Sequence, residues 1–221
     1  MATSDTPRYH HGNLVQALVE ATVAIIEEQG IDHVSVREAA KRAGVSPGAP
    51  FRHFRTKTAL MTAVAEQAMT RLKQSVTEAI SEADPNQPLK VFEAIGRGYL
   101  RWALSNTTYF QIISSRTLID FSGSESLVRD NTQIRTLMVD VLTQARDLGQ
   151  LRDGVDLDHL ILGARAMVYG LARMAVDGHF PEWHVSEPAQ DAVFTALSNF
   201  IATLKKADAK PPRKQAFTAD R

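Results

Sequence analysis

Between Ser35 and Leu60 the chain concentrates its cationic side chains. Six bases (Arg37, Lys41, Arg42, Arg52, Arg55 and Lys57) stand against one acid, Glu38, a net charge of +5. The whole chain of 221 residues is neutral, so the remainder carries −5. One basic segment in a neutral protein makes a defined footprint for a polyanion. A guanidinium can pair bidentately with guanine, so Arg52 is the best direct base reader in reach. Gly48 and Ala49 beside it carry almost no side chain, which lets the backbone approach a duplex closely, and the Ala49 methyl can meet a thymine methyl. His53 is read either as a phosphate donor or as a local cap. Arg37 and Arg42 are read either as phosphate contacts or as a solvated face.

Two short helices must position these groups. Ser35 is the expected N-cap of the first, with Glu38 completing a capping box. Val36, Ala39, Ala40 and Ala43 recur at helical spacing, and Gly44 supplies the stop. Val45 plugs the space between the helices. Ser46 is expected to cap a second helix with Pro47 at its first position, where a missing N–H costs nothing. Phe51 and Phe54, three apart, are expected to share a buried face. This is the spacing of a helix-turn-helix, whose second helix enters the DNA major groove. The candidate DNA-binding set is Ser35, Arg37, Ser46, Pro47, Gly48, Ala49, Phe51, Arg52, His53 and Lys57.

The segment AAKRAGVSPGAPFRHFRTKTALMTAV resembles the N-terminal domain of TetR-type transcriptional regulators. The likeness covers Asn13 to Ala65 in motif and the whole chain in layout. It implies a homodimeric, sequence-specific regulator, a repressor released from its operator by a small ligand. It also implies that the helix opening at Lys57 has its N-terminus at the DNA and its body beside the ligand cavity. Two departures bear on base readout. Many relatives carry a branched apolar residue where this chain has Pro50, which loses the first intrahelical N–H bond and crowds the Ser46 carbonyl, so the reader helix is expected to start irregularly. Many also carry tyrosine where Phe51 stands, so the phosphate-bonding hydroxyl is missing.

The rest of the chain reads as all-α, with about nine helices. The expected division is a flexible arm at 1–11, a three-helix DNA-binding domain at 12–56, a ligand-binding and dimerisation domain at 57–206, and a disordered tail at 207–221. Asn13, with Gln16 three residues on, is expected to cap the first helix, which Gly30 ends. Leu60, Val64, Ala68, Leu72, Val76 and Ile80 give the fourth an apolar face. Phe92, Ile95, Tyr99 and Trp102 line one side of the fifth. The ligand-wall candidates are Phe92, Tyr99, Trp102, Phe110, Ile134, Met138 and Met167, with plain core the competing reading for each aromatic. Asp156 or Asp158 starts the eighth helix, whose Gly163, Ala164, Ala166, Gly170 and Ala172 allow close helix approach. Its stretch VYGLARMAVDG resembles one C-terminal subclass of the same family. Val193, Leu197, Phe200 and Leu204 mark the ninth helix, expected from about Glu187, with Phe194 and Ile201 widening its apolar face. A four-helix dimer interface through 156–178 and 187–204 fits both.

Composition limits the alternatives. The 44% apolar and 23% charged fractions are ordinary for a soluble globular chain. No apolar run approaches the ~20 residues of a membrane span, and MATSDTPRYHHG lacks the apolar core of a signal peptide, so a cytoplasmic, nucleoid-associated protein is expected. The absence of cysteine excludes disulfides, thiol nucleophiles and Cys-ligated metal. No nucleophile elbow, zinc-protease helix, Walker loop or dinucleotide fingerprint occurs, so no enzyme and no cofactor is expected. Neither the His10–His11 pair nor the Asp177, His179, Glu182 and His184 cluster is read as a metal site; the cluster's default is a solvated loop. The expected partners are a near-palindromic operator with half-sites about 34–36 Å apart, or a multiple, and a hydrophobic or aromatic effector. A constitutive or architectural DNA binder with a filled core is the alternative.

Overall fold

A computed structural model describes residues 14–206. The expectations for the arm at 1–11, the Asn13 cap and the tail at 207–221 lie outside the described residues. Eight α-helices follow in order: α1 Leu14–Gln29, α2 Val36–Arg42, α3 Lys57–Ser81, α4 Pro88–Ser105, α5 Thr107–Ser114, α6 Glu125–Asp147, α7 Leu157–Val176 and α8 Ala189–Leu204. Short 3-10 turns lie at Ile31–His33, Pro50–Arg52 and Phe180–Trp183. Among the described residues, the one pairing of extended backbone is a single bridge between Leu151 and Lys205. The all-α expectation therefore holds, with the 3-10 turn at Pro50–Arg52 standing where the third of about nine helices was expected.

Local chemistry accounts for most helix ends. The Ser35 hydroxyl accepts from the Glu38 N–H at 3.0 Å, satisfying a first-turn donor of α2. Thr56, Ser124 and Asp156 do the same for α3, α6 and α7. Gly30 and Gly44 take φ of 90° and 68° where the chain leaves α1 and α2, a region that an L side chain rarely enters. The start of α8 falls two residues after the expected Glu187, because the Pro188 carbonyl accepts the Asp191 and Ala192 N–H groups and opens the helix at Ala189.

α1, α2 and the start of α3 close a small core through Leu18, Ile25, Ala39, Leu60 and Met61, all essentially buried. α3 then runs on into the larger domain and packs along α4, which is buried over most of its surface. Gly98 makes that crossing close: a Cβ there would lie 2.7 Å from the Val76 Cα and 2.8 Å from the Ser75 carbonyl oxygen. The Ser75 hydroxyl also donates to the Gly98 carbonyl at 2.9 Å. α4 packs in turn against α6, α7 and α8. At its contact with α8, buried Glu93 accepts from Lys90 (3.0 Å), Arg97 (3.0 Å) and the Ser198 hydroxyl (2.6 Å). Burial raises the Glu93 pKa, but the donors from Ser198, Lys90 and Arg97 outweigh it and hold the carboxyl at about 2.

Candidate nucleic-acid interface and internal cavity

The basic segment folds as a helix, a tight turn and a second, tighter turn. After α2, the Val45 N–H bonds the Ala40 carbonyl at 3.0 Å across left-handed Gly44. The chain from Ser46 to Phe54 does not become an α-helix. Pro50 has no N–H to give the Ser46 carbonyl, which takes the Ala49 N–H at 3.0 Å instead. The Pro50 carbonyl then accepts from both His53 (2.9 Å) and Phe54 (2.8 Å), and Pro50–Arg52 is a single 3-10 turn. The irregularity expected at the start of the reader thus extends through it, and Ser46 and Pro47 belong to a turn rather than to a capped helix.

This turn anchors with two residues and presents the others. Pro50 and Phe54 are buried, whereas Phe51 is 40% exposed, so Phe51 and Phe54 do not share the expected buried face. Pro47, Gly48, Arg52 and His53 are exposed and Ala49 is half-buried. Nothing lies within 4 Å of a Cβ built on Gly48, so the fold itself does not demand glycine there.

The six bases separate into two groups. Arg42 forms a two-pronged ion pair with Glu28 of α1, one prong at 2.6 Å, which pulls the Glu28 carboxyl below its ordinary range. Lys41 lies 3.5 Å from Glu38. Lys57 is exposed and donates to the Ile31 carbonyl at 2.8 Å, tying the first turn of α3 to the end of α1. Arg37, Arg52 and Arg55 are exposed and form no ion pair among the described residues. Arg42 meets neither reading, phosphate contact or solvated face: its side chain is engaged with Glu28 within the protein. Arg55 joins Arg37 and Arg52 as a free cation on this face; the charge pattern contained it without marking it.

A cavity of about 260 Å³ lies in the larger domain. Of the wall candidates, Phe92, Tyr99, Ile134 and Met138 line it. Trp102, Phe110 and Met167 do not. Trp102 and Phe110 pack behind Tyr99, edge to face with each other at 6.2 Å, and Phe110 is fully buried. Both are therefore core, while Met167 is half-buried on α7. The Trp102 indole N–H has no protein partner. Burial pushes the Tyr99 hydroxyl above its ordinary pKa, and nearby Arg165 opposes that.

Sequence reasoning missed part of the wall. Leu72 and Val76 of α3 face the cavity, so one helix joins the basic segment to it. Three charged side chains also line it: Arg135, Asp158 and Arg165. Arg135 and Asp158 pair at 2.7 Å, and the Arg165 guanidinium lies over the Tyr99 ring at 4.8 Å. The spacing of Asp158, Leu162, Arg165 and Tyr169, at steps of four, three and four, was the available signal. In the 177–184 loop Asp177 pairs with Arg173 at 2.7 Å, and His184 takes a left-handed backbone, φ 57°. No group of metal-ligating side chains occurs among the described residues.

The comparisons follow this division of the molecule. Residues 18–64 match the model of bacterial regulatory proteins of the tetR family, and residues 92–200 match the tetracyclin repressor-like C-terminal domain. The chain is 35% identical over 83 residues to the HTH-type transcriptional regulator BetI of Yersinia pestis (strain Pestoides F). That match covers 38% of this chain and 42% of the relative's length. Among solved structures, a protein of unknown function from Rhodococcus sp. RHA1 aligns over 91% of this chain and 100% of its own, at 28% identity and a TM-score of 0.75. The ketosteroid transcriptional regulator KstR2 of Mycobacterium tuberculosis shares the fold at 19% identity, with a TM-score of 0.63 over 87% of this chain and 95% of its own. The two family models together span 156 of the 221 residues, and the chain belongs to the TetR family of DNA-binding transcriptional regulators.

Proposed function

We propose that this protein is a homodimeric repressor whose hold on a near-palindromic operator is released by a small ligand with a hydrophobic or aromatic body. The observation that carries the reading is the course of α3. Its N-terminus adjoins the exposed turn at Pro47–His53, and its Leu72 and Val76 wall the cavity. A molecule in the cavity therefore touches the helix that carries the reading turn. Release requires different ligand affinities in two states, typically ~1–3 kcal/mol of coupling.

At the operator, Arg52 reads a base edge, Gly48 and Ala49 allow close backbone approach, and Phe51 makes an apolar contact. Ser35, Arg37, Ser46, His53 and Arg55 serve the phosphates. Lys57 joins them by exchanging its bond to Ile31 for a phosphate oxygen. Dimerisation through α7 and α8 is supported mainly by α7. Its outer face is small-sided, with open space around Gly163 and Gly170, and is flanked by Leu162, 66% exposed. On α8, Phe200 turns to the cavity and Phe194 packs under Arg97, so less of its apolar width is left for a partner than the sequence suggested. No helix among the described residues is long and apolar enough to cross a membrane, which fits action at the nucleoid.

The test is binding to DNA from immediately upstream of the protein's own gene, against shuffled DNA, at ~0.15 M salt. A preference of ~10³ or more supports a sequence-specific regulator and supplies the assay for release. A specific binder whose melting temperature and operator affinity respond to no small molecule is the constitutive alternative.

A further inference from the structure

We propose that the ligand of the cavity is an amphipathic anion, its apolar or aromatic body among Phe92, Ile134, Met138 and Leu197 and its carboxylate on Arg165. The inference deepens the ligand-responsive reading above and rests on it for the release of DNA. The wall supplies the argument. Arg135 and Asp158 neutralise each other at 2.7 Å, so the charge left over on the lining is that of Arg165. Arg165 forms no ion pair among the described residues, in a chain with as many acids as bases. Its guanidinium is held over the Tyr99 ring, which fixes the plane of the donor fork without satisfying its N–H groups by an anion.

A second cation reinforces the first. Arg116, stacked on Phe121 at 3.5 Å, likewise forms no ion pair among the described residues. Burial, and then the charge of Arg165, both lower its pKa, so the two guanidinium groups feel each other. Arg165 lies on the cavity lining and Arg116 repels it, so an anion bound at Arg165 relieves both. Leu162 stands one turn before Arg165 on α7 and also lines the cavity, adding an apolar side chain beside the cation. The volume, about 260 Å³, lies just below the range of roughly 300–1,000 Å³ for drug-sized ligands, so the body is small. A bidentate Arg–carboxylate pair provides both orientation and discrimination.

The test uses the full-length protein and three probes that share one body: 4-phenylbutyrate, 4-phenylbutanol and 4-phenylbutylamine. Affinities are measured calorimetrically for the wild type, Arg165→Met and Arg165→Lys. The acid is expected to bind about tenfold or more tighter than the alcohol, with the amine weakest. Arg165→Met should bring the acid to within about twofold of the alcohol, leaving alcohol binding and the melting temperature unchanged, and Arg165→Lys should retain part of the preference. Equal binding of acid and alcohol, survival of the preference in Arg165→Met, or binding of none of the three overturns the inference. Operator release is scored separately. If acid and alcohol release DNA alike, the ligand-responsive reading stands and the anion inference falls. If the acid binds through Arg165 and operator affinity does not move, the anion site stands and the ligand-responsive reading falls.

Discussion

The turn at 46–54 and helix α4 solve opposite problems with the same kinds of residue. α4 turns Phe92, Ile95, Tyr99 and Trp102 inward and packs on five other helices. The turn commits Pro50 and Phe54 to the core and leaves Phe51, Arg52 and His53 outside. An α-helix satisfies its backbone along its own length, so α4 can be enclosed on every side. A 3-10 turn satisfies fewer groups, and its stability comes from what it is bolted to. The aromatic side chains of α4 hold the domain together, while the exposed ones of the turn are free for a partner.

Four substitutions test that contrast, beginning with the most costly. Phe110→Ala empties a fully buried position behind Tyr99. It should cost ~3–5 kcal/mol in urea unfolding. A loss below ~1 kcal/mol would show that the aromatic cluster repacks and is no rigid wall. Glu93→Gln should cost ~1–3 kcal/mol at neutral pH, because it removes the buried charge and turns one of the two acceptor oxygens facing Lys90, Arg97 and Ser198 into a donor. The same carboxylate gives a pH signature. Its folded pKa of about 2 lies below the ordinary value of 4.5, so its contribution is complete above 4.5 and disappears as pH falls towards 2. Unfolding followed across that window should lose its steepest part in Glu93→Gln.

On the other side of the contrast, Arg52→Ala should leave the unfolding midpoint unchanged and cost ~1–3 kcal/mol at the operator, with relaxed specificity at one base pair. Equal losses on every sequence would assign Arg52 to a phosphate. Ser35→Ala, which removes the cap of α2, should cost ~1 kcal/mol of stability, read from the melting temperature. A melting temperature that did not move would show that α2 does not depend on this cap.

Much of this architecture was legible because its causes are local. Ser35, Gly44 and Asp156 mark helix ends through their own side chains or backbone freedom, and the apolar stripe of α3 states which face is inward. The reading turn was half legible: Pro50 announced an irregular start, but whether the helix recovers depends on packing of Pro50 and Phe54 against α1 and α2. The cavity was legible in composition and not in detail. Phe92, Tyr99 and Trp102 share one periodicity, and spacing cannot say that Tyr99 reaches the cavity wall while Trp102 stays behind it. Arg165 was missed for the same reason, since its lack of an acid is a fact about α6 and about residues 115–121 as much as about α7.

In the proposed release, the close contact of Gly98 with Ser75 and Val76 serves α3 as a fulcrum. Nineteen residues separate Val76 from Lys57, about 28 Å of helix at 1.5 Å per residue. A swing of about 5° at that pivot carries the far end through about 2.5 Å, on the order of half the ~5.4 Å pitch of a helix. The core that Leu60 and Met61 share with Leu18 and Ile25 makes α1 travel with it. In the proposed dimer, two such arms moving symmetrically would change the separation of the reading turns by up to twice that distance. The gearing is fixed by where one missing methyl group lets two helices touch.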